Sequence, residues 1–387
     1  MKSFKKLLGG NLNQYSMVIA LVGIMIFFQI GSGGILFKPL NITNLILQNS
    51  YILILALGML LVIVAFQIDL SVGSIAAVVG ALAGIMIINH NMSVPLGITI
   101  VLIVGALFGA WQGFWIAYVR IPAFITTLAG MMVFRGLTYV SLDGTSIAPF
   151  PKSFQLMSTG FIPDFFNGNG FHITTMLIGI IITVIYVVSE IKKRATQKKF
   201  KFEVSSPIAL TLKMGAIIII LNVFCYIMAS YKGLPNVLVL LAILVVFYTF
   251  IMTKTTFGRH IYALGGNEKA ARLSGVKTKW VVFLVFVNMG LLSALAGLVF
   301  AARLNSATPN AGVGFELDAI AACFIGGAST AGGIGTIMGA MIGGLFMGVM
   351  NNGMSLMGVG IDWQQTIKGL VLLFAVAFDV YSKSKTA

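Results

Sequence analysis

The chain has 387 residues, 58% hydrophobic and 9% charged, with a mean hydropathy of +1.01. Soluble domains carry about 25% charged residues, and a folded surface facing water cannot be built from so few, so most of this chain faces lipid. The net charge of +15 would suggest nucleic acid in a soluble protein; here it reads as membrane topology, and no nucleic-acid partner is expected.

Backbone groups in lipid must be paired internally, which leaves helices or closed barrels. Unbroken apolar runs such as Ile52–Phe66 and Ile217–Ile227 are helical, because barrel strands alternate polar and apolar residues. The predicted fold is therefore all-α, a polytopic bundle of 10–12 transmembrane helices forming one membrane domain over residues 1–387. Its basic opening, MKSFKKLLGG, precedes a short apolar stretch but no A-x-A-like cleavage site, so residues 16–37 read as the first span rather than as a signal peptide. Further spans follow at 44–66, 72–90, 95–119, 122–141, 172–190, 209–230, 234–252, 280–302, 332–357 and 364–381, with a short, Gly-ended one near 316–330 that puts the C-terminus outside if it is re-entrant instead. The longest gaps, 142–171, 191–208 and 253–279, are too small for a soluble domain.

Charge sets the orientation. With both termini inside, 19 Lys and Arg lie on the cytoplasmic side, against six outside (Lys38, Arg135, Lys152, Lys232, Arg303 and Lys368). A faint internal repeat accompanies this topology. FQID (66–69) and FELD (315–318) open two stretches, and GALF (105–108) and GGLF (343–346) follow them on helices of opposite direction. Inverted repeats of this kind build transporters that alternate access around a midplane site.

Chemistry-bearing motifs are sparse. Cys225 and Cys323 fall in apolar segments and form neither a disulfide framework nor a metal site. There is no G-x-x-x-x-G-K-[ST] phosphate loop, and GGASTAGGIGT (326–336) reads as a turn with close helix packing. The chain is thus no ATPase and no enzyme: paired mid-span carboxylates, a metal cluster and a nucleophile–base set are all missing. Asp69, Arg135, Arg303, Glu316, Asp318 and Asp362 fall near span ends, none with a partner at a span centre, which argues against an ion-driven carrier. Mid-span amides and hydroxyls (Gln48, Asn49, Thr126, Thr127, Asn288, Asn351 and Asn352) are either interhelical glue or the wall of a path for a polar solute. Asn49, Asp69, Thr126, Asn351 and Asn352 are the candidate path residues.

The gap 253–279 is basic, with six Lys or Arg from Lys254 to Lys279 against Glu268 alone. Asn267 suits an N-cap, Glu268 the positive helix end, and Gly275 a left-handed C-terminal cap. So short a helix is unstable alone in water, so something must dock it: a membrane surface or a partner protein. Ala270 and Ala271 are small enough to admit a partner surface, and Arg272 has a charge to offer it.

YALGGNEKAARLSGV (262–276), IDLSVGS (68–74), RIPAFITTLAGMMVFRGL (120–137) and GVMNNGMSLMGV (348–359) resemble, in the same order, segments of the membrane permeases of ribose/xylose-type sugar ABC importers. SIAPFPKSF (146–154) is most similar to the xylose or multiple-monosaccharide branch. The resemblance implies a multi-pass permease of the bacterial inner or plasma membrane that pairs with a second copy. It implies a cytoplasmic ATP-binding cassette subunit, carrying ATP and Mg, on the 253–279 coupling loop, and an extracytoplasmic sugar-binding protein. The family's Gly-Asn-x-x-x-Ala-Arg-x-x-Gly pattern falls on Gly266, Asn267, Ala271, Arg272 and Gly275. Where many relatives have glycine before the I-D-L-S-V-G block, this chain has Phe66 and Gln67. The alternatives are an ion-coupled secondary carrier, and an ABC permease for a nucleoside or autoinducer-type solute.

Overall fold

A computed structural model describes residues 12–384 except 169, 203 and 205. The outermost residues of both termini, assigned above to the cytoplasm, lie outside this range. The chain opens with α1 (Leu12–Gly31), α2 (Pro39–Val64), α3 (Val72–Gly84) and α4 (Val94–Phe114). Single π-helical turns extend α3 to Asn89 and α4 to Val119. There follow α5 (Ala123–Leu142), the short α6 (Lys152–Thr159), α7 (Ile173–Lys199), α8 (Pro207–Ala229) and α9 (Asn236–Lys254). The last part comprises α10 (Thr256–Gly266), α11 (Glu268–Leu273), α12 (Thr278–Leu304), α13 (Phe315–Ile325), α14 (Ile337–Leu356) and α15 (Ile361–Ser384).

Among the described residues, nine helices are long and apolar enough to cross a bilayer, and α1 adds a shorter apolar stretch, Met17–Gly31. The protein is an all-α, multi-pass membrane bundle. The α2 helix is apolar on every side and is buried without a break from Ile52 to Ala65, as expected for a helix at the centre of a bundle. Peripheral α7 and α8 pack mainly on each other. They are also joined by the Lys213–Glu190 ion pair, 2.6 Å.

The expected span near 316–330 is only a half-helix. The eleven residues of α13 rise about 16 Å, against a hydrocarbon core of about 30 Å. Non-helical backbone at 305–314 leads into it. That backbone needs hydrogen-bond partners away from water, and α5 supplies them: the Arg135 guanidinium donates to the carbonyls of Pro309, at 3.3 Å, and Ala311, at 2.5 Å. At the other break, residues 65–71 between α2 and α3, Asp69 Oδ1 accepts from the backbone N–H (2.8 Å) and hydroxyl (2.6 Å) of Ser71. The Gln112 amide of α4 donates to the same hydroxyl at 2.6 Å.

The repeat glimpsed in the sequence is present in the packing. Helix α2 packs on α14 as α12 packs on α4; α2 on α13 as α12 on α3; α13 on α14 as α3 on α4; and α13 on α15 as α3 on α5. The exchange α2↔α12, α3↔α13, α4↔α14, α5↔α15 therefore carries one half into the other. FQID lies at the break before α3 and FELD at the start of α13, while GALF and GGLF lie on α4 and α14.

Candidate functional site

Two places carry polar chemistry. The first is the basic loop. Thr255 caps α10, its hydroxyl accepting from Gly258 N–H at 3.2 Å. Asn267 then ends α10 and caps α11, its Oδ1 accepting from Ala270 N–H at 3.0 Å. Gly275, at φ +87°, closes α11, with N–H bonds from Gly275 to the Arg272 carbonyl (3.0 Å) and from Val276 to that of Ala271 (3.1 Å). The sequence reading captured α11 and its two caps but not α10, whose sequence TFGRHIYALGG is Gly-rich and carries no acidic first turn.

The α10 helix holds the loop to the bundle. A Cβ placed on Gly265 would lie 1.7 Å from the Val64 carbonyl oxygen, so only glycine allows this approach. That carbonyl also accepts from Gly333 N–H at 2.9 Å, and Tyr262 Oη donates to the Gly335 carbonyl at 2.7 Å. The loop thus touches the end of α2, next to the first helix break, and the turn that follows half-helix α13.

On and around α11, Gly266, Asn267, Glu268, Ala270, Arg272 and Gly275 are exposed. Ala271 differs from its expected role: it is 5% exposed and faces the chain's own interior. At a helix's 3.6-residue period, a neighbour of the exposed Ala270 turns inward. A groove of about 810 Å³ runs between α11 and the turn joining α4 to α5, lined by Gln67, Arg120, Lys269, Arg272, Lys277 and Lys279 among others. Among the described residues none of these five cations forms an ion pair.

The second place is the bundle interior, where the candidate path residues divide into two groups. Asp69 lies at the first break; Thr126 lies on α5, its Oγ1 donating to the Pro122 carbonyl at 3.4 Å, and it is neighbouring Thr127 that donates to the break, to the Ile68 carbonyl at 3.4 Å. Asn49 and Asn352 lie on the seam of α2 and α14, with Asn351 the neighbouring residue of α14. Asn352 exchanges two amide hydrogen bonds with Asn41, at 2.9 and 3.1 Å, and Asn41 Nδ2 also donates to the Leu36 carbonyl at 3.0 Å. Asn49 Nδ2 donates to the Leu45 carbonyl at 2.8 Å, and its side chain packs on Gly348. Asn351 Oδ1 is buried and accepts no hydrogen bond. The Asn351 side chain lies beside the Asp318 carboxylate.

Asp318 lies near a helix start, as expected, but it has a charged partner that residue order does not show. It is 3% exposed, and Lys368 Nζ lies 3.1 Å from its Oδ1 and 3.2 Å from its Oδ2. These residues stand 50 apart in the chain, and no local pattern announces the pairing.

The sequence profile of a family described as "Branched-chain amino acid transport system / permease component" matches residues 41–161 and 156–376. The xylose transport system permease protein XylH of Haemophilus influenzae is 38% identical over 380 residues, covering 98% of this chain and 99% of its own length. The protein of the same name from Escherichia coli K12 is 37% identical over 376 residues, 97% of this chain and 94% of its own length. The ribose import permease protein RbsC of Escherichia coli K12 is 34% identical over 370 residues, 95% of this chain and 94% of its own. No solved structure shows significant similarity.

Proposed function

The chain belongs to the branched-chain amino acid transport system / permease component family, and from that membership we propose that it forms the membrane path of an ATP-driven importer for a monosaccharide. The observation that carries this reading is the near-full-length likeness to xylose permeases, ahead of the ribose permeases in identity. The substrate is a pentose of xylose type or a small set of monosaccharides. The protein is a transport component; ATP and Mg are held by a separate ATPase subunit, and an external binding protein delivers the sugar. Two permease copies make the working unit, with both termini, 191–208 and the coupling loop 253–279 in the cytoplasm of a bacterial cell.

In the cycle, ATP-driven movement of the ATPase pushes α11, which is firm because both ends are capped. The α10 helix passes that displacement to Val64 and to Gly333–Gly335, hence to the ends of both discontinuous segments. Half-helices change position more readily than full spans, because their broken ends need no rupture of a continuous hydrogen-bond ladder. The five unpaired cations around the α11 groove suit an acidic surface on the ATPase. The path itself holds the sugar weakly through amides and hydroxyls, since the sugar must also leave.

The test is uptake of labelled xylose and ribose into vesicles holding the permease, its ATPase and its binding protein. ATP-dependent uptake that needs the binding protein is expected. Uptake that follows an ion gradient without ATP would replace this reading with that of a secondary carrier. Orientation is checked by impermeant labelling of intact cells, which is expected to reach Lys152→Cys and to miss Lys199→Cys and Lys269→Cys.

A further inference from the structure

The Asp318–Lys368 pair joins α13 to α15, and the packing around it gives it a role. Most of the α15 surface that is described faces outward, and its principal packing partner is α13. The hydrogen bonds of Gln364 Nε2 to the Val359 carbonyl (2.8 Å) and to Ser355 Oγ (3.4 Å) tie only the start of α15. Further along, the ion pair is the charged link between α15 and the bundle among the described residues.

Its other end is the fourth residue of the half-helix. Phe315, three residues earlier, stacks on Tyr51 of α2, with ring centroids 3.9 Å apart. Just before the half-helix, Gly312 touches Gly73 of α3. Asn351 of α14 stands beside the carboxylate with its own Oδ1 unpartnered. The half-helix is thus set against α2, α3 and α14 by apolar contact and close backbone approach, and against α15 by charge.

Burying the Asp318 carboxylate is unfavourable even with Lys368, 26% exposed, beside it, and a well-packed apolar pair would hold two helices together at least as well. Ionisable groups at membrane depth mark function by default. We propose that Lys368 is a positioning residue for transport: through its ion pair with Asp318 it fixes the start of half-helix α13 beside the solute path and makes α13 and α15 move as one body. The transport part of this inference rests on the importer reading above; the positional part does not.

The experiment uses the full permease with its ATPase and binding protein in vesicles, and compares Lys368→Gln, Lys368→Arg and the double variant Asp318→Asn/Lys368→Gln. Two quantities are read. One is sugar moved per ATP hydrolysed. The other is the rate at which an impermeant thiol reagent labels Leu317→Cys, half-exposed at the start of α13, with Cys225 and Cys323 replaced by alanine.

In the double variant, which leaves no lone buried charge, labelling is expected to accelerate. The sugar-to-ATP ratio is expected to fall at least about fivefold, the low end of coupling between sites. Lys368→Gln is expected to show the same changes, and Lys368→Arg to restore both readings. If the double variant keeps wild-type labelling and the wild-type ratio, the pair is charge compensation alone and the proposal is wrong. If Lys368→Gln fails to reach the membrane, the double variant decides. If the wild type moves no sugar with ATP, the importer reading fails while the labelling arm still decides the positional claim.

Discussion

Gly73 and Gly312 meet backbone to backbone: a Cβ on Gly73 would lie 2.1 Å from the Gly312 carbonyl oxygen, and one on Gly312 would lie 1.9 Å from that of Gly73. They sit at the two helix breaks, one in the first turn of α3 and one just before α13. Because both obstacles are backbone, no side chain can swing aside to make room. Gly73→Ala therefore has to push α3 away from the backbone that leads into half-helix α13. Overpacking of this kind costs about 1–3 kcal/mol, and the separation also alters the path. The expected outcome is a permease that reaches the membrane at reduced level and melts earlier, with uptake reduced beyond the loss of protein. Thermal unfolding in detergent and uptake normalised to membrane level check this.

Asn352 offers a test between glue and path. Its amide is committed to Asn41 by two hydrogen bonds in a buried seam. Asn352→Ala leaves Asn41 Oδ1 without its donor, while Asn41 Nδ2 keeps the Leu36 carbonyl, at a cost of about 1–3 kcal/mol. Replacing both residues by leucine removes the stranded group but also takes the Asn41 donor from the Leu36 carbonyl, and is expected to restore part of the stability. With glue as the main role, the double variant keeps the apparent affinity for sugar; an unstable single and a double with a raised KM would place these amides on the path. Melting temperature and uptake kinetics give the two readings.

The capped helix α11 separates two alanines by role. Ala270 is exposed and Ala271 buried. Ala270→Trp is expected to leave the permease at normal membrane level while abolishing co-purification of the ATPase and uptake. Ala271→Trp is expected to lower the permease level itself, because the indole has to enter the chain's own interior. Asn267→Ala removes a cap worth about 0.5–2 kcal/mol and is expected to weaken ATPase association without abolishing it. Pull-down from solubilised membranes, with permease level as control, separates the three.

Asp164, in the loop before α7, carries a pH signature. Its Oδ1 accepts from the Thr174 N–H (3.1 Å), the Thr174 hydroxyl (2.8 Å) and the Phe166 N–H (3.4 Å), and its Oδ2 from the Gly168 N–H (3.2 Å). Desolvation pushes its pKa up, but the donors outweigh it and hold the carboxyl below the usual carboxylate range. A folded-state value below the unfolded one means that the stabilisation is fully present above about pH 4 and fades as pH falls through the folded value. Proteolysis of residues 160–172 is expected to be equally slow at neutral and mildly acidic pH, and to accelerate only in stronger acid. Asp164→Asn is expected to be cut faster at neutral pH.

Much of this organisation is legible in residue order. Apolar runs find the spans because lipid tolerates little else. Asn267, Glu268 and Gly275 announce α11 because capping is local chemistry. The short motifs before α3 and at the start of α13 hint at the repeat. What residue order does not show has a common physical cause: it depends on partners distant in the chain. Hydropathy does not distinguish half-helix α13, because residues 305–314 are carried by Arg135 of another helix. Lys368 reads as a charge near a span end until Asp318 is brought beside it. Ala271 reads as a docking residue until the bundle covers it. Asn351 and Asn352 are sequence neighbours with opposite circumstances, one Oδ1 without a hydrogen bond and one paired, since successive helical positions point about 100° apart.

The contact of α10 with both Val64 and the 333–335 turn bears on how exchangeable the coupling loop is. Graft residues 255–275 onto another permease, and the graft brings Tyr262 and Gly265 but leaves behind the carbonyls they were fitted to. An α2 that ends at a different height in the recipient, or a turn of different length after its half-helix, would leave the transplant attached to one half of the molecule only. Subunit-exchange chimaeras should therefore be cut so that the loop travels together with the end of α2 and residues 326–336. Made that way, the motor's stroke still reaches both halves; made at the loop's own boundaries, it reaches one and stalls against the other.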